Sequence, residues 1–289
     1  MKLIKFASIT KKIALAAFGL FLLLFLPVHL GINLCLLRED GGEWYRNASH
    51  FMGTNYIVKV FEIVLLASVL FHIVIAILLT IENLLARPIR YKVATKTKTP
   101  FMSRYMIWTG GVIACFLVIH FINFYFVKFD LVEGKYSADM EQVDKHFQEK
   151  AVKLQSGELS ETEQASLMAQ YQAISQVSID KMDKNRKNLV NLSKDEVKLY
   201  CGEDFKHYEP DFYNMSLELF ANKTYSIIYL LVFVILGFHL FHAIGSLAQT
   251  LGLNHKKYTP IIDVVALAYA VLIPLGFAVI PLWLMFMIK

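Results

Sequence analysis

Five apolar stretches, at about 13–37, 56–85, 104–128, 224–249 and 260–288, constrain this chain more than anything else in it. Each is long enough to cross a bilayer as a helix, which takes roughly 20 residues. Backbone groups cannot be left unpaired in lipid, and no alternating barrel pattern is visible, so the spans are expected to be helices. The first follows a basic stretch (Lys2, Lys5, Lys11, Lys12), as the apolar core of a secretory signal would. It is too long for that, and no small-residue cleavage motif follows, so it is expected to remain as a span. The chain is 56% apolar with a mean hydropathy of +0.47, which sets it apart from an ordinary soluble domain.

Lysine and arginine set the expected orientation. The N-terminal segment is basic, as are the second connection (Arg87, Arg90, Lys92, Lys96, Lys98, Arg104) and the fourth (His255, Lys256, Lys257). The positive-inside rule places these in the cytoplasm and the C-terminus outside. The expected domains are spans one to three (1–128), an extracytoplasmic insertion (129–223) and spans four and five (224–289). The insertion carries roughly 18 acidic and 12 basic residues. Its apolar residues recur at helical spacing (Val143, Phe147, Ala151, Leu154; then Leu167, Tyr171, Ile174, Val177). A turn at Ser156-Gly157 and a capping box at Ser160–Glu163 complete the pattern of a helical hairpin. The three cysteines, Cys35, Cys115 and Cys201, form no CxxC or CxxCH. A zinc module, a thioredoxin-like pair and covalently attached haem are therefore not expected.

Five of the nine histidines lie inside apolar spans: His29, His72, His120, His239 and His242. Ionisable side chains are costly there and usually face the bundle interior. At 1.5 Å rise per residue, His29 and His120 lie roughly 7 Å outward of the midplane, and His72 and His239 roughly 3–5 Å toward the cytoplasm. Two layers, each with imidazoles from two helices, are what two stacked bis-histidine b-type haems require. The expected fold is thus an all-α, five-helix transmembrane bundle holding two haems. Gly19, Gly31, Gly237 and Gly245 would let a porphyrin approach backbone, or serve ordinary helix packing. Arg87, Arg90 and Lys92 could face the propionates of the cytoplasmic-side haem and Arg38 those of the outer one; topology signalling is the plainer role for such cations.

The stretches SITKKIALAAFGLFLLLFLPVHLGINL, VLFHIVIAILLTIENLLAR, VIHFINFYF and GFHLFHAIGSLAQTLG resemble the cytochrome b membrane anchor of succinate dehydrogenase and fumarate reductase. The similarity is to its single-subunit, dihaem type and covers about 8–128 and 212–289. The resemblance implies His29 and His120 as ligands of the distal haem iron, and His72 and His239 as ligands of the proximal one. It also implies a spacing of thirteen residues from the fourth-span ligand to a helix-ending glycine, kept here by His239 and Gly252. His242 is read as a propionate or quinone-pocket neighbour, with plain packing as the alternative. Further implications are a flavoprotein subunit and an iron–sulfur subunit on the cytoplasmic side, a quinone (menaquinone) as redox partner, and a bacterial inner membrane as location. Dicarboxylate chemistry would not occur on this chain, no nucleic-acid partner is expected, and a homo-oligomer of the complex is compatible with all of this.

Quinone chemistry moves protons with electrons, so a carboxylate near the outer haem is expected. Glu62, about 15 Å along its helix from His72, is the first candidate and Glu43 the second; the alternative for Glu62 is an interfacial carboxylate paired with Lys59. Some family members have a glutamate two positions before the fourth-span ligand, where this chain has Gly237. Two other functions remain open: a quinone-reactive cytochrome b serving another dehydrogenase or a hydrogenase, and a haem-free transporter whose histidines relay protons.

Overall fold

A computed structural model describes residues 8–86 and 105–287. Five of its helices are long and apolar enough to cross a membrane, the architecture of a multi-pass membrane protein. In chain order the first elements are α1 (Ser8–Leu34), α2 (Glu43–Thr54), α3 (Tyr56–Ala86) and α4 (Met106–His120). After α4 the helix loosens into a π turn (Phe121–Tyr125) and tightens into a 3₁₀ turn (Phe126–Phe129) that ends at Asp130, φ +57°. The bundle closes with α9 (Lys223–Thr250) and α10 (Thr259–Met287). The apolar spans are Ile9–Leu37, Tyr56–Ala86, Met106–Phe129, Lys223–Thr250 and Thr259–Phe286, each within a few residues of its expected position. Asn55 caps α3 by accepting from the amides of Ile57 and Val58. At the far end of α9, Gly252 takes φ +73° and Leu253 N–H donates to the Ala248 carbonyl, closing the helix with a left-handed glycine.

Packing in the bundle is lopsided. The spans of α9 and α10 are 22% and 39% buried, against 6% for each of the other three. The buried cluster of this half includes Tyr229, Phe233, Leu240, Ala270, Ile273, Phe277, Ile280 and Leu284. Gly237 is a point of close approach: a Cβ there would stand 2.8 Å from the Ala270 carbonyl oxygen. Its role is thus to admit α10, rather than the porphyrin contact entertained from the sequence. On the other side α1 lies along α3 and α4 along α9, while α3 and α4 meet sparsely. Ser68 is the only fully buried residue of α3, and α4 has none.

The segment between α4 and α9 corrects the all-α expectation. It holds β1 (Tyr136–Asp139), α5 (Met140–Gln155), α6 (Glu161–Ser175), β2 (Asn188–Leu192), α7 (Lys194–Cys201), β3 (Tyr208–Pro210) and α8 (Phe212–Ala221). The strands form an antiparallel sheet in the order β2-β1-β3. The helical pair α5–α6 is present, with both halves of the Ser160–Glu163 capping box. It is only part of a mixed α/β unit with its own core of Val143, Phe147, Leu167, Leu189, Leu192, Val197 and Cys201. Each such buried aliphatic or aromatic side chain stabilises by about 1.5–3 kcal/mol.

This unit is fastened to α2, which lies between α1 and α3. Asp211, fully buried, accepts from Arg46 Nε (3.3 Å), the Asn191 amide (3.0 Å) and Asn214 Nδ2 (2.6 Å). Asn185 donates to Glu43 (2.8 Å), and His50 pairs with Glu209. At the opposite end of the bundle Lys11 of α1 pairs with Glu82 of α3.

Candidate functional site

The loosely packed half of the bundle is where the histidines converge. His29 of α1 and His120 of α4 have ring centres 5.9 Å apart with planes at 85°. A metal–imidazole bond is about 2 Å long, so two rings on opposite sides of one ion have centres on the order of 6 Å apart. Aromatic rings enclose this pair: Phe25 (5.1 Å) and Phe277 (5.7 Å) beside His29, and Phe116 (5.8 Å) and Phe124 (5.3 Å) beside His120. His120 is the last residue of α4 before the π turn, a distortion frequent at functional sites.

His72 of α3 and His239 of α9 are the two histidines expected in the second layer. Their surroundings are made by what is missing. A Cβ on Gly19 would stand 3.4 Å from His72 Cε1, and one on Gly110 would stand 3.3 Å from His239 Cε1. Gly31 and Gly245 have nothing within 4 Å of such an atom. Thr109 of α4 brings its hydroxyl to 3.2 Å from His239 Nδ1. His242, one turn along α9, makes no hydrogen bond or ring contact among the described residues.

The spacing of His29 and His120 fits two imidazoles on either side of one iron. His72 Nδ1 and His120 Nδ1 are buried with no hydrogen-bond partner. An unsatisfied polar atom in an apolar interior costs several kcal/mol, so these rings are better accounted for if an imidazole nitrogen has a non-protein partner. His29 and His120 bring two imidazoles together, and two axial ligands are what a porphyrin iron takes from a protein.

The other expected residues separate. Glu62 of α3 accepts from Lys128 Nζ at both carboxylate oxygens (2.9 and 2.8 Å), so its partner is Lys128 rather than Lys59. Arg38 pairs with Asp40 (3.4 Å) and lies over the Trp44 ring (4.3 Å). Glu43 is taken up by Asn185. Arg87, Arg90 and Lys92 lie outside the described residues. Thr109, Gly110 and Lys128 were not singled out from the sequence. Thr109 and Gly110 stand three turns before His120 on the same helix, a position that a depth estimate would have matched to His239. No family model, curated protein or solved structure matches the chain.

Proposed function

We propose that the chain is a dihaem cytochrome b that anchors a succinate dehydrogenase or fumarate reductase complex and exchanges electrons with a quinone. The observation that carries this reading is the meeting of His29 and His120 from two spans, with ring centres 5.9 Å apart; His72 and His239, one on each of two further spans, are read as the second pair. Bound haem would supply two one-electron carriers stacked across the membrane.

The chain's own residues do the remaining work. His29 and His120 would hold one iron within an aromatic enclosure, and His72 and His239 the other between two glycines. The apolar spans exclude water from both. Glu62 and Lys128 join a carboxylate and an ammonium at the level where α3 and α4 meet the α/β unit. Such a pair can take up and hand on the protons that accompany quinone reduction. In this reading the α/β unit is extracytoplasmic and covers the His29–His120 end. The Lys11–Glu82 end faces the cytoplasm, where a flavoprotein and an iron–sulfur subunit would dock. The location is a bacterial inner membrane and the quinone a menaquinone.

The test is a reduced-minus-oxidised spectrum of the purified chain. The expected result is a b-type α-band at about 560 nm with two haems per chain. A preparation without that band sinks the proposal and leaves the haem-free transporter.

A further inference from the structure

We propose that Thr109 is a positioning residue for His239, fixing the ring tautomer that leaves Nε2 bare for an axial bond; this rests on the dihaem reading above. Thr109 Oγ1 lies 3.0 Å from the Met106 carbonyl oxygen, one turn back on α4. A carbonyl can only accept, so the hydroxyl's single hydrogen points to it. The lone pairs of Oγ1 then face His239 Nδ1 at 3.2 Å, and that contact is a hydrogen bond only if Nδ1 donates. In a neutral imidazole with its hydrogen on Nδ1, Nε2 holds the free lone pair.

The next residue lies against the same ring. Gly110 has no side chain, and a Cβ there would stand 3.3 Å from His239 Cε1, a few tenths of an ångström tighter than an ordinary contact. One turn of α4 therefore orients an imidazole of α9 through a hydroxyl at 109 and an absence at 110. Of the four paired histidines, His239 alone has this arrangement. Nδ1 of His72 and of His120 has no partner. His29 Nδ1 faces the amide nitrogen of Asn33 at 3.4 Å, and that nitrogen donates to the His29 carbonyl at 2.8 Å. The neighbour of His29 is therefore a donor, where the neighbour of His239 is an acceptor.

An acceptor on the far nitrogen makes an imidazole a stronger ligand base, which favours the more oxidised metal. The two centres should therefore respond differently to loss of one hydroxyl. The experiment compares Thr109→Val and Thr109→Ser with wild type in the full-length protein, reading haem content and both midpoint potentials by redox titration. Thr109→Val keeps the shape and removes the acceptor. It is expected to raise one potential by roughly a tenfold change in the oxidised-to-reduced affinity ratio, which for a one-electron couple is about 59 mV. The other potential stays, and Thr109→Ser returns the shifted one to the wild-type value. Loss of one haem in Thr109→Val but not in Thr109→Ser is a stronger form of the same result. Two unshifted potentials in Thr109→Val overturn the proposal, as does a serine variant that behaves like valine. Absence of haem from the wild type is a separate outcome, which overturns the dihaem reading itself.

Discussion

The two imidazole pairs are built in opposite ways. Around His29 and His120 the chain adds bulk: four phenylalanine rings have centres within 6 Å of one or other imidazole. Around His72 and His239 it removes bulk, with Gly19 and Gly110 under the ring edges, and supplies one hydroxyl. The first pair lies toward the end fastened to the α/β unit through Arg46 and Asp211, and the second lies nearer the end tied by Lys11 and Glu82. An aromatic enclosure tolerates small changes of volume because its rings can shift against one another. A site bordered by glycines has little such slack at Gly110, where a Cβ would stand 3.3 Å from the imidazole and a larger side chain would push it.

That contrast can be broken most directly by removing one ring from each pair. His29→Ala and His239→Ala are each expected to lower haem content from two per chain to one, read by pyridine haemochrome. His242→Ala should leave two. If His242→Ala loses a haem and His239→Ala does not, the second pair has been misassigned.

Next in size is Asp211→Ala, which strands the Arg46 guanidinium beside a buried site. Removing one member of a buried ion pair costs about 3–5 kcal/mol. Thermal unfolding should show the α/β unit melting earlier, and any change in haem spectrum should be confined to the His29–His120 centre. Gly110→Val is milder for the fold, about 1–3 kcal/mol of overpacking, but it should perturb only the His72–His239 centre. A shift in the other centre's spectrum would show that the two are mechanically joined.

Smaller still is an effect of pH confined to the α/β unit. Burial holds the His146 imidazole below its usual range; Asp204 opposes this and Lys150 adds to it. The folded state therefore binds this proton less readily than the unfolded chain does. The stability linked to His146 is complete above the ordinary imidazole value, about 6.5, and is lost as pH falls below it. Limited proteolysis should cut the unit faster at pH 5 than at pH 7. His146→Gln should flatten that difference without touching either histidine pair.

The five spans were legible because each is an unbroken apolar block, and lipid admits only one answer to such a block. The approach of His29 to His120 was legible because helix rise converts residue number into depth. The strands were not: β1, β2 and β3 have four, five and three residues. In β2, Leu189, Val190 and Leu192 are all buried, so no alternation marks it. Thr109 was hidden because a threonine in an apolar helix normally satisfies itself on its own backbone, as this one also does through Met106. The Glu62–Lys128 pair joins residues 66 apart in the chain, and Lys59 stood closer in sequence. For Gly237 the sequence left porphyrin contact and helix packing open; the Ala270 carbonyl of the neighbouring helix claims that space.

The π turn after His120 acts as a gear between two functions of one span. It accommodates an extra residue within the helix, and each residue advances a helix by about 100°. Everything beyond Tyr125 is thereby rotated relative to His120, and Lys128 is delivered to the azimuth of Glu62. Shortening 121–125 by one residue would leave the imidazole where it is and swing the ammonium away from its carboxylate. The placement of the imidazole and the charge pairing on this span are thus phased separately, by the π turn and the 3₁₀ turn that follows it.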